Sequence, residues 1–166
     1  MVKRRGKRSK VDEITNEVKD VLNENKGKES NHEDRLLVPT GSTLLNLALS
    51  DRYDGGFVPG SIVNIVGDWS AGKTFLLWTL YAETIYSGKF DDYDFIYDEP
   101  ECSLNLDLEK LFGFGAGRVN KDIISDTIED FYRNIREQIS KDKPFIYGLD
   151  SLDALTSDEE RLSLIH

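Results

Sequence analysis

With 166 residues the chain can enclose one hydrophobic core and little more. Hydrophobic residues at 39% and charged residues at 31% describe a globular chain, and no apolar run approaches the roughly 20 residues of a membrane-spanning helix, so that class of membrane protein is excluded. One cysteine, Cys102, excludes an internal disulfide and fits a reducing cytoplasm; no apolar stretch follows the basic N-terminus, so no secretory signal is expected.

The net charge of −10 is unevenly spread. Lys3, Arg4, Arg5, Lys7, Arg8 and Lys10 fall in the first ten residues; with these set aside, residues 11–166 hold 15 basic against 31 acidic residues, a net −16. Such an arm can touch nucleic-acid phosphates, act as a localisation signal or be a solvated tail, while the acidic body argues against broad nonspecific DNA binding. Val11, Ile14, Val18, Val21 and Leu22 recur at helical spacing, which predicts an amphipathic helix ending near Gly27. Its apolar stripe needs a cover, either this chain's core or a neighbouring subunit. Residues 26–35 are polar and aperiodic and read as a linker; His32 within it has no second ligand at a usable spacing and reads as a solvated histidine. The expected organisation is thus an arm, docking helix and linker over residues 1–35, and a folded core over 36–166.

Leu37 to Ser42 reads as an extended approach, with Ser42 or Thr43 capping a helix that carries Leu44, Leu45, Leu47 and Leu49. Turns follow at Asp54-Gly55-Gly56 and Pro59-Gly60. The β-branched run Ile62, Val63, Ile65 and Val66 predicts a short buried strand leading into a glycine loop.

That loop is Gly67-Asp68-Trp69-Ser70-Ala71-Gly72-Lys73-Thr74, which fits G-x-x-x-x-G-K-[ST] at every fixed position. Phosphates are held by backbone N–H groups turned inward, in conformations glycine tolerates best, and Gly67 and Gly72 stand at the two ends of the turn. Lys73 supplies a point charge for the β- and γ-phosphates, Thr74 a hydroxyl for Mg²⁺, and the helix beginning here points its positive end at the anion. Phe75 completes the candidate nucleotide-contacting stretch.

Leu76, Leu77, Trp78, Leu80, Tyr81, Ile85 and Tyr86 predict a helix apolar on most of its surface, closed by Gly88 and buried between a sheet and its neighbours. A second strand at residues 93–97 runs out into Asp98-Glu99-Pro100-Glu101. Ligands of open parallel sheets sit beyond the carboxyl ends of the strands, so Glu99 or Glu101 can polarise a water against a γ-phosphate; a solvated acidic turn is the plainer alternative. Cys102 has no thiol or histidine partner in sequence and reads as a buried or half-buried filler.

Residues 105–114 predict a short helix ending at Gly113, and Ser125 or Asp126 a cap for the amphipathic helix of Ile128, Phe131, Tyr132, Ile135 and Ile139. The apolar run 144–149 predicts a third strand ending in Asp150. An acid at that place, downstream of a phosphate loop, has the character of a Walker B aspartate holding Mg²⁺ through water, with an N-cap as the alternative. Strands alternating with helices predict βαβ units and a parallel sheet.

Pro39-Thr40-Gly41-Ser42 with its leucine helix, residues 55–60, the phosphate loop, the acidic end of the second strand and Leu149-Asp150-Ser151-Leu152-Asp153-Ala154-Leu155-Thr156 together resemble the RecA family of recombinase ATPases, with a texture like its divergent bacteriophage members. The resemblance runs from about residue 11 to residue 157. It implies a three-layer α/β P-loop fold with a mainly parallel sheet and an N-terminal helix outside the core. It further implies ATP and Mg²⁺ as cofactors, Lys73 and Thr74 on phosphate and metal, Asp150 as the Walker B acid, and Glu101 as the water-activating carboxylate with Glu99 as its rival. Residues 11–24 would dock on the next protomer of a filament, and single-stranded DNA would be the partner of the complete protein. Phe75 departs from the hydroxyl residue many relatives carry there, and Leu108 lies near a place where an aromatic often covers adenine.

In that family a strand after Walker B lies between the P-loop strand and the Walker B strand, and the DNA-binding loops follow. Only residues 157–166 follow here. The expectation is therefore the N-terminal part of an ATP-dependent DNA recombination or repair protein, its sheet incomplete toward the C-terminus, its nucleotide binding weak and its turnover small. An interaction module that docks on or caps filaments of a full-length relative is the alternative expectation.

Overall fold

The computed structural model describes residues 35–163. The helix expected at residues 11–22, the linker with His32, and His166 lie outside them.

The first element, α1 (Thr43–Ser50), begins as its sequence predicts, with Ser42 accepting from the Leu45 N–H. Its buried residue is a polar one: Asn46 accepts from Thr40 N at 3.0 Å and Thr40 Oγ1 at 2.8 Å, and donates to Tyr53 O at 2.9 Å. That amide ties the approach to the turn after the helix and satisfies itself in doing so. Leu44, Leu47 and Leu49 are exposed. A single antiparallel bridge, Val38 to Phe57, closes the segment.

The run Ile62–Val66, expected as a buried strand, is not one. It joins no ladder, and Ile62, Val63 and Val66 are 101%, 45% and 84% exposed. β-propensity expresses packing against cross-strand neighbours, and among the described residues this segment has none.

The sheet has three parallel strands, β1 (Asp94–Asp98), β2 (Val119–Asn120) and β3 (Phe145–Leu149), in the order β2-β1-β3. Phe95 and Ile96 pair with Val119 and Asn120, and the five residues of β1 pair in register with those of β3. β2, which pairs with β1 on the side away from β3, is a strand the sequence does not predict. It is two residues long, too short to give an alternating pattern.

Two helices cover opposite faces. α2 (Lys73–Tyr86) packs on the side of Phe95 and Tyr97, with Trp78 5.0 Å from the Tyr97 ring and Tyr81 6.1 Å from that of Phe95. Gly148, which shares this face, allows the approach: a β-carbon there would meet the Tyr81 hydroxyl and lie 2.7 Å from Leu77 Cδ2. On the other face Tyr147 meets Phe131 of α4 (Ile128–Ser140) at 5.8 Å. The strand period of two thus separates Tyr147 toward α4 from Gly148 toward α2. Between β1 and β2 stand α3 (Leu108–Phe112), capped by Asp107, and a 3-10 segment, Gly113–Arg118.

The core lies mainly on the α2 face, where Trp78, Tyr81, Phe95 and Tyr97 are essentially without solvent contact. Burying side chains of this size stabilises by about 2–3 kcal/mol each. The cap of α4 is Thr127, which accepts from Asp130 N, and neither Ser125 nor Asp126. Ser125 is instead drawn inward by Asp98. The chain ends its described part with a 3-10 turn, Leu152–Ala154, and α5 (Asp158–Ser163), after a parallel bridge from Thr127 to Thr156.

Candidate functional site

Higher residue numbers in α2 meet lower ones in β1, Trp78 on Tyr97 and Tyr81 on Phe95, so helix and strand run antiparallel. The N-terminus of α2, with Lys73 and Thr74, therefore points toward the carboxyl ends of β1 and β3. That is the end at which Glu99, Glu101 and Asp150 leave the sheet.

The glycine loop is solvent-facing. Gly67, Asp68, Trp69, Ser70, Ala71, Gly72 and Phe75 are exposed, while Lys73 and Thr74 are half-buried. Ala71 N donates to Asp68 O at 3.2 Å, Ser70 takes φ 59° and Gly72 φ 90°, where an L side chain is strained. The left-handed requirement falls on Gly72; a β-carbon on Gly67 would only touch that of Ala71 at 3.4 Å. No side chain caps α2, whose first helical bond is Leu76 N to Gly72 O, so its leading N–H groups stay open. The Lys73 ammonium folds back and donates to Gly67 O and Asp68 O, both at 2.9 Å. Trp69 is 94% exposed, and Phe75 leans on Phe112 with ring centroids 5.4 Å apart.

The three candidate carboxylates differ in their partners. Glu99 Oε1 accepts from Ser103 N at 2.9 Å and Ser103 Oγ at 3.2 Å, which closes its own turn. Glu101 reaches across to the end of β3, where Ser151 Oγ donates to its Oε1 at 3.1 Å. Asp150 Oδ2 accepts from Tyr97 Oη at 3.0 Å, and Asp150 N donates to Asp98 O at 2.8 Å. Asp150 is not an N-cap; Ser151 holds that position for the following 3-10 turn. Asp98, the fourth acid of the stretch, is fully buried and accepts from Ser125 N, Ser125 Oγ and Tyr147 Oη at 2.8, 2.5 and 2.6 Å. It is a structural tie between β1, β3 and the approach to α4.

Burial first, and then the charges of Asp150 and Glu99, hold the Tyr97 phenol far above its ordinary value. It stays protonated and serves as a donor. Tyr147 is raised likewise, by burial and by its bond to Asp98. Among the described residues no three His, Cys, Asp or Glu side chains form a metal cage, and no hydrogen bond joins the glycine loop to Glu99, Glu101 or Asp150.

A depression of about 250 Å³ opens beside Tyr97 and Glu99, bordered by Cys102, Leu104, Lys121 and Ile124. Cys102 is exposed at φ 47° rather than buried, because the turn closed by Glu99 swings it outward. Another depression, of about 300 Å³, lies between α1 and the far end of α2, away from the loop. Tyr97 and Ser151 are not legible as site residues in the sequence; both are signalled only by parity in a strand and adjacency to an acid, which many residues share. No protein-family model and no curated protein matches this chain.

Proposed function

We propose that the chain is a RecA-like ATP-binding protein of DNA recombination or repair, in which Lys73 and the open N–H groups at the start of α2 hold the phosphates. The uncapped N-terminus of α2 behind a left-handed Gly72 is the observation that carries this reading. Facing it, the Asp150 and Glu101 ends of the sheet supply the acids the chemistry needs. The donor set suits MgATP: Thr74 Oγ1 and Asp150 would hold the ion, which supplies charge neutralisation on the β- and γ-phosphates. Glu101 is the carboxylate assigned to orient a water: its bond from Ser151 holds it beside Asp150, whereas the two bonds from Ser103 close Glu99 into its own turn. In the complete RecA-like form the partner is single-stranded DNA, and neighbouring protomers dock through residues 11–24. Turnover in this chain is expected to be small, because the segment before the loop stands outside the sheet.

Calorimetry of the whole chain with MgATP tests the reading. Lys73→Ala should abolish the heat of binding, and equal binding by both proteins would sink it.

A second reading is favoured by the exposure of Ile62, Val63 and Val66, an uncharged run without a ladder. In it the chain acts without catalysis, docking on or capping filaments of a full-length relative. Co-purification with a complete RecA-type protein, lost on removing residues 1–27, is the expected result; undiminished co-purification would discard the docking helix as the cause.

A further inference from the structure

Asp150 is held from one side only. Its backbone N–H is fixed on Asp98 O, and its Oδ2 accepts from Tyr97 Oη at 3.0 Å, while Oδ1 takes no hydrogen bond from a described residue. Tyr97 is itself enclosed: it is 2% exposed, lies on the middle one of the three strands, and packs its ring on Trp78 of α2. The same helix begins with Lys73 and Thr74, about 7.5 Å of helix rise before Trp78. One aromatic side chain thereby connects the helix that bears the glycine loop with the acid opposite it.

We propose that Tyr97 is a positioning residue that fixes the rotamer of Asp150 and leaves Oδ1 free for a divalent cation carried by a bound nucleotide. The inference rests on the nucleotide-binding reading above and adds a residue to that site. A phenol suits the task for a geometric reason: it donates a single hydrogen bond, so it orients one carboxylate oxygen without occupying the other. Groups behind a metal-binding carboxylate act by holding its geometry, and their loss shows in metal affinity before it shows elsewhere.

The test is Tyr97→Phe in the full chain, read as the Mg²⁺ concentration at half-maximal enhancement of ATP binding. The variant should keep its far-UV circular dichroism, keep ATP affinity in EDTA within about two-fold, and raise the Mg²⁺ midpoint about ten-fold. Asp150→Asn should remove the Mg²⁺ dependence, and Tyr97→Phe added to it should change nothing further. An unchanged midpoint in Tyr97→Phe, or an equal loss of affinity with and without Mg²⁺, overturns the positioning inference while leaving nucleotide binding intact. Absence of ATP binding by the unmodified chain overturns the underlying reading and this inference with it. If Tyr97→Phe does not fold, ¹³Cζ-tyrosine NMR of the unmodified chain decides. The Tyr97 resonance should move with MgATP and stay still with ATP in EDTA; no difference between the two overturns the proposal.

Discussion

Glu101 and Ser151 are 50 positions apart in sequence, and Ser151 Oγ donates to Glu101 Oε1 at 3.1 Å. That bond joins the loop after β1 to the loop after β3 and brings Glu101 beside Asp150. Glu99, two residues earlier, spends its carboxylate on Ser103. If the chain releases phosphate from ATP, Glu101→Gln should lower the rate about 100-fold or more, the scale of general-base loss. Glu99→Gln should retain most of it. A phosphate-release assay checks both, and the reverse ranking would reassign the water-activating acid to Glu99.

Asp98 is the acid on which the stability of this end of the sheet depends. Three donors from two elements converge on it in a site without solvent. Asp98→Ala strands Ser125 N and the Tyr147 hydroxyl without partners, and should destabilise by about 3 kcal/mol in urea unfolding. A loss below about 1 kcal/mol would mean that water replaces the carboxylate there.

Gly148 is required by contact rather than by backbone angle. Gly148→Ala pushes a methyl into Tyr81 and Leu77, and Tyr81 is pinned by its hydrogen bond to Ile96 O. The expected cost is about 2 kcal/mol, from displacement of α2 off the sheet. Thermal unfolding of the variant measures it, and a neutral result would show that α2 has room to shift.

Asp54 gives stability a pH dependence. Its bond to Arg52, helped by Lys89 and opposed by partial burial, lowers its pKa from 3.8 to about 2. A depressed carboxylate stabilises the fold above its ordinary pKa, and that contribution is lost as pH falls from 3.8 toward 2. The pair is partly solvated, which limits the effect to about 1 kcal/mol. Asp54→Asn should therefore lower stability at neutral pH by that amount and flatten the acid limb between those two pKa values. An acid limb identical to that of the unmodified chain would place the linkage elsewhere.

The sequence by itself determined the elements whose causes are local. The helix after Gly72 follows from its apolar spacing, α1 from Ser42, and β1 and β3 from continuous apolar runs bounded by turns and acids. The parallel sense of the sheet followed too, because a helix between two strands returns the chain in the same direction. The glycine loop was legible as a string of residue types, since φ near 90° at Gly72 is a demand on one residue.

Only the tertiary structure decided what depends on neighbours far away in the chain. Ile62–Val66 has the composition of a strand and no strand beside it, so it stays outside the sheet, with Ile62, Val63 and Val66 exposed. Asp98 and Asp150 end their strands in the same way in sequence, yet opposite strand faces bury one among Ser125 and Tyr147 and leave the other with a free oxygen. Glu99 and Glu101 share one acidic turn in sequence and part company through Ser103 and Ser151. The physical reason is the same in each case: propensity and periodicity are sums over adjacent residues, whereas burial and hydrogen-bond satisfaction are settled by whichever element packs alongside.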